Sequence, residues 1–137
     1  MKNTGKPILL VEDDTVDVMT VKRALKELGV GNPVLAMEQG EAALAYLRAP
    51  ASERPCIILL DLNMPIMSGI EFLREAKHDA ALRGIPVVVL TTSTEQQDKF
   101  TSFDLGAAGY MAKPVDYRHF VEVVRGIDQY WTLSEMP

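Results

Sequence analysis

The 137-residue chain has a single cysteine, Cys56, so no disulfide can form within it. That usage fits a reducing compartment, and Cys56, just ahead of an apolar run, reads as a small buried residue. No apolar stretch approaches the ~20 residues a helix needs to cross a bilayer. The opening Met-Lys-Asn-Thr-Gly-Lys-Pro lacks the apolar region of a secretory signal. A cytoplasmic protein with no membrane association is the expectation. Basic excess is missing as well: a net charge of −5 argues against a nucleic-acid partner. There is no internal repeat, no low-complexity segment, no Gly-x-Gly-x-x-Gly and no Walker A lysine motif, which disfavours nucleotide binding. The two histidines, His78 and His119, fall in helical patterns away from the acidic residues and read as solvated or capping. The length suits one domain with a sizeable core and is too short for two.

What the chain does have is a series of short apolar runs, each ending in a polar group. Ile57–Leu60 shows no polar alternation, the mark of an interior strand of a parallel sheet covered on both faces. It ends in Asp61. Ile8–Val11 ends in Glu12-Asp13-Asp14, Val87–Leu90 in Thr91-Thr92-Ser93, and the weaker candidate Ala108–Ala112 in Lys113-Pro114. Many strands end in Asp for turn chemistry alone. If these four are parallel neighbours, however, one sheet edge gathers carboxylates, a hydroxyl and an ammonium where open α/β sheets bind their ligands. Asp61 is then a candidate nucleophile or metal ligand.

Helical patterns separate the runs. Val18, Val21, Leu25 and Leu28 predict a helix from Asp14 or Thr15 to about Leu28, closed by Gly29 and Gly31. A short strand is expected over Pro33 to Met37. A helix over about Glu41 to Arg48 then buries Leu44 and Leu47. The proline-bracketed stretch from Pro50 to Pro55 reads as a variable surface loop. Ile70 and Leu73 face inward from a helix over about Gly69 to Lys77. Thr94-Glu95-Gln96-Gln97 has capping-box spacing and predicts a helix to about Leu105, with Phe100 and Phe103 as its apolar contacts. Asp116 can cap a last helix whose core face is Phe120, Val123, Val124 and Ile127. The seven methionines read as core filler. Five alternations of strand and helix imply right-handed crossovers and a parallel sheet between helix layers.

Taken together, Leu9-Leu10-Val11-Glu12-Asp13-Asp14, Asp61-Leu62-Asn63-Met64-Pro65-x-Met67-x-Gly69, Leu90-Thr91 and Lys113-Pro114 closely resemble the receiver domain of two-component response regulators. The resemblance spans about residues 6–130, leaves 131–137 as a C-terminal tail and shows no output domain. It implies an α/β, flavodoxin-like (βα)5 fold, a doubly wound five-stranded parallel sheet in the order 2-1-3-4-5. It also implies that Asp61 accepts a phosphoryl group from a sensor histidine kinase with Mg²⁺. By the same resemblance Asp13, Asp61 and the Asn63 carbonyl are metal ligands, with Glu12 acting through water. Lys113 would pair with the Asp61 carboxylate before reaction and with a phosphoryl oxygen afterwards, aimed inward by a cis bond to Pro114. X–Pro bonds make cis cheap, at about 0.5–1 kcal/mol over trans.

Thr91 and Tyr110 would form the switch. Thr91 is equally a β-branched residue at a strand end, and Tyr110 is as readily a plain core or surface aromatic. Thr92 is bulkier than the small residue common at its position and would crowd phosphoryl access; Asn63 and Ser93 flank the expected path of the hydrolytic water. The last helix and Tyr130-Trp131-Thr132-Leu133-Ser134-Glu135 look like small stand-alone receivers that partner phytochrome-type kinases. Output would pass to a downstream protein or phosphotransfer protein, with a homodimer expected through the fourth and fifth helices and fifth strand. Two rivals remain. One is an aspartyl-phosphate hydrolase of the haloacid dehalogenase type, disfavoured because Asn63 stands where that family wants a second acid. The other is a receiver-like scaffold that takes no phosphate.

Overall fold

The computed structural model describes residues 5–64, 66–92, 96–113 and 115–127, with the side chains of 123–127 outside that description. Five strands and five helices alternate as expected. They are β1 (Ile8–Val11), α1 (Thr15–Glu27), β2 (Val34–Met37), α2 (Gly40–Arg48), β3 (Ile57–Leu60), α3 (Gly69–His78), β4 (Val87–Thr91), α4 (Gln96–Asp104), β5 (Gly109–Ala112) and α5 (Tyr117–Ile127). All strand pairs are parallel, in the order β2-β1-β3-β4-β5.

Every residue of β1, β3 and β4 is buried, because the sheet is covered on both faces. Successive side chains point to opposite faces, so each apolar run supplies two cores. Leu9, Val11, Ile58, Leu60, Val87 and Val89 pack with Leu44, Phe72 and Leu73 of α2 and α3. Ile8, Leu10, Ile57, Leu59, Val88 and Leu90 pack with Val21 and Leu25 of α1 and Phe120 of α5. Asp14 caps α1 through Val16 and Asp17 N–H, and Asp116 accepts from His119 N–H at the start of α5. Ser68 and Glu71 form a capping box on α3.

Two expectations fail. Phe100 and Phe103 are 68% and 45% exposed, whereas Ser102 is fully buried. The Ser102 hydroxyl donates to Asp98 O, so a small polar residue with its bond made locally faces the sheet and the aromatics face out. Met19 is exposed rather than core filler. The loop between α2 and β3 lies at the surface as expected, fastened there by Tyr46 Oη donating to Glu53 O at 2.7 Å and Arg54 to Ala81 O at 2.6 Å. The expected capping box at Thr94 and the tail lie outside the described residues, as do the core roles given to Val123, Val124 and Ile127.

Candidate functional site

Register decides which strand ends meet. Val11 pairs with Leu60, and Leu60 with Val89, so β1 and β3 end level. Strand β4 runs two residues further and ends level with β5 at the Thr91–Ala112 pair, on the same edge of the sheet. Just past it, Asp61 N–H donates to Val11 O at 3.0 Å and Glu12 N–H to Met37 O at 3.0 Å. On the other side, Lys113 N–H donates to Thr91 O at 2.8 Å. Backbone hydrogen bonds at the sheet edge therefore hold Glu12, Asp61, Thr91 and Lys113 in place.

Glu12, Asp13 and Asp61 each offer a carboxylate oxygen, all within 4.8 Å of one another. Asp13 is exposed, but Glu12 and Asp61 are only 3% and 6% exposed. Like charges this close and this buried are unfavourable without a counter-charge. An all-oxygen donor set of this kind suits a hard divalent cation. Burial pushes the Glu12 carboxyl up to about 7; its hydrogen bond from Lys113 opposes the rise and the Asp61 charge adds to it.

Lys113 is the cation the protein supplies. Its Nζ donates to Glu12 Oε1 at 2.6 Å and to Asp17 Oδ2 at 2.7 Å. The expected pairing with Asp61 is thus replaced by a bridge between two other acids. Burial alone would depress the ammonium, yet the bonds to Asp17 and Glu12 outweigh it and hold Lys113 above the ordinary lysine range. Asp17 is the residue the sequence reading missed. Its signal was an acid four positions after Asp13, but its partner lies 96 residues away.

Asn63 ties the hydroxyl side of the site together. Its backbone N–H donates to Asp61 Oδ1 at 3.3 Å, and its Nδ2 donates to Thr91 Oγ1 at 3.1 Å and Thr92 Oγ1 at 3.3 Å. Thr91 is fully buried and Thr92 exposed. Tyr110 is half-buried against the core on β5. Ser93 and Pro114, and with Pro114 the expected cis bond, lie outside the described residues. His78 and His119 are exposed on α3 and α5.

Gly69 has a geometric reason that sequence alone did not carry. A Cβ there would sit 2.5 Å from Leu62 Cα and press on the Asp61 carbonyl oxygen. Gly69 N–H donates to Leu62 O at 3.0 Å, so α3 begins against the backbone that carries Asp61. Between them Ile66 holds φ at 69°, a left-handed conformation rare for a β-branched residue.

The model of the response regulator receiver domain matches residues 8–125. The chain belongs to that family. Receiver domains are the phosphoacceptors of two-component systems, phosphorylated by histidine kinases. The family member Response regulator Rcp1 of Synechocystis sp. is 38% identical over 133 residues, covering 94% of this chain and 90% of that protein. Its Mn²⁺-bound crystal structure superposes with a TM-score of 0.76. The phosphorylated cyanobacterial phytochrome response regulator RcpA is 42% identical, with a TM-score of 0.77, covering 93% of this chain and 94% of that one. The receiver domain of the Pseudomonas aeruginosa sensor kinase PA1611, 27% identical with a TM-score of 0.75, holds a magnesium ion in its cleft; 93% of this chain and 98% of that one are covered. Among the described residues no helix is long and apolar enough to cross a membrane.

Proposed function

We propose that this chain is a single-domain response regulator, its receiver spanning 6–130, that takes a phosphoryl group on Asp61 from a histidine of a phytochrome-type sensor kinase. The observation that carries this reading is the convergence of three carboxylates, a buried threonine and a lysine on one sheet edge. The kinase type is supported by the likeness to RcpA, a phytochrome response regulator.

In this reading an Asp61 carboxylate oxygen attacks phosphorus. The P–N bond of the phosphohistidine breaks, and its electron pair leaves with the imidazole. Thr91 then donates its hydroxyl to a phosphoryl oxygen, and Lys113 moves to another. Asp13, Asp61 and the Asn63 carbonyl, with Glu12 through water, would hold Mg²⁺, which when bound neutralises the acids and the incoming phosphoryl charge. Water hydrolyses the acyl phosphate later, so the chain catalyses its own phosphorylation and dephosphorylation without turning over a separate substrate. Thr91 and Tyr110 carry the resulting change to the surface, where a few kcal/mol of bias suffices to alter partner affinity. The protein acts in the cytoplasm, through contacts with a downstream protein or phosphotransfer protein. The exposed Phe100 and Phe103 support a homodimer through α4, β5 and α5.

Incubation with labelled acetyl phosphate and Mg²⁺ tests the reading. One phosphate per chain, lost in Asp61→Asn, is the expected result. Release of many phosphates per chain would indicate a hydrolase, and absence of label a scaffold.

A further inference from the structure

Three carboxylates compete for one ammonium at this edge. Lys113 has three N–H donors, and two of them go to Glu12 and Asp17. The two acceptors are not equivalent. Glu12 is 3% exposed at the end of β1, and its other oxygen accepts Asp14 N–H at 3.2 Å. Asp17 sits at the rim on the first turn of α1, its side chain 36% exposed. Its backbone N–H is anchored on the Asp14 cap. If Lys113 lets go, water can take over the Asp17 carboxylate, so that bond is the cheap one to break. A phosphoryl group on Asp61 brings close to two negative charges and three strong acceptors. It can outbid the singly charged Asp17.

We infer that Asp17 is a positioning residue: it holds the Lys113 ammonium off Asp61 in the resting protein and surrenders it when a phosphoryl group arrives. This rests on the proposed phosphoacceptor role of Asp61 and deepens it. Resting Asp61 is then not engaged by the ammonium, which waits on the same sheet edge at the end of β5, two strands from β3. The phosphorylated form must break the Asp17 bond, so Asp17 sets part of the balance between the two forms.

Beryllofluoride with Mg²⁺, a phosphoryl mimic, is the probe. Asp17→Asn is expected to tighten its binding roughly two- to fivefold, the size of a part-exposed ion pair. Asp17→Glu, which keeps the carboxylate, is expected to bind as the parent does. Removing a negative charge would also help an anion through the general field. The Lys113→Met background separates the two causes: a field effect persists there and the Asp17 effect vanishes. An Asp17→Asn affinity that is unchanged or weaker, or a gain that survives in Lys113→Met, overturns the inference.

A second measurement needs no variant. The scalar coupling across the hydrogen bond from Lys113 Nζ to the Asp17 carboxylate should be present in the free protein and lost with beryllofluoride. Coupling absent from the free protein, or present in both states, overturns the inference. Beryllofluoride that binds with Asp17→Asn indifferent removes only this inference. No binding to the parent protein removes the phosphoacceptor reading with it.

Discussion

At Gly69 the smallest side chain in the protein is set against the backbone of its central acid. A Cβ would lie 2.5 Å from Leu62 Cα, and backbone cannot swing aside as a flexible side chain would. Gly69→Ala should therefore cost about 1–3 kcal/mol, the range of overpacked sites, read from the urea midpoint. It should also slow labelling of Asp61 by acetyl phosphate, because relief of the clash moves that residue's carbonyl. An alanine variant with parent stability would show that α3 starts farther from Asp61 than described. Single residues also mark how far sequence reading reached. Asp14 was legible as a cap because its partners, Val16 and Asp17 N–H, are two and three positions away. The partners of Lys113 were not, since Glu12 lies 101 residues off and the competing acid Asp17 lies 96 off. Chemistry of residue type identified the lysine; only the fold chose its acceptors.

Among the elements, α4 departs most from its sequence pattern. Strands β1, β3 and β4 were legible because burial on both faces leaves unbroken apolar runs. Helix α3 was legible because Ile70 and Leu73 keep helical spacing, although Phe72 and Ala76 are buried beside Leu73 while Ile70 is only half-buried. In α4 the spacing of Phe100 and Phe103 pointed to a core face, yet the buried residue is Ser102. A helix with few apolar residues is oriented by what its neighbours leave room for, and a hydroxyl bonded to Asp98 O hides there at little cost. The two phenylalanines then remain as surface. Phe100→Ser with Phe103→Ser should change folding stability by no more than about 0.5 kcal/mol per site while weakening self-association in sedimentation velocity. A large stability loss would mean the aromatics are core after all, and unchanged association would remove this face as the dimer contact.

For the molecule as a whole, the acidic cluster trades stability for a site. Glu12, Asp13 and Asp61 repel one another in a chain already at −5. With divalent cations chelated, Asp13→Asn should stabilise the fold by up to about 1 kcal/mol, as relief of a part-exposed like-charge contact. Added Mg²⁺ should raise the melting temperature of the parent, by about 2.7 kcal/mol of stabilisation at a hundredfold excess over its dissociation constant. The same Mg²⁺ should do much less for Asp13→Asn. Equal Mg²⁺ responses in the two proteins would exclude Asp13 as a ligand.

The amino-acid order alone determined the layered α/β class, the five-strand alternation and the identity of the groups at each strand end. Those features are local: hydrophobic period, turn residues and caps act over a few positions. It did not determine which acids share Lys113, why position 69 admits only glycine, or which face α4 presents to solvent. These depend on register and packing. Lys113 meets acids about a hundred positions away, Gly69 meets the backbone of Asp61 and Leu62 only because α3 folds back on it, and α4 turns to fit its neighbours. A hydrophobic period records none of these.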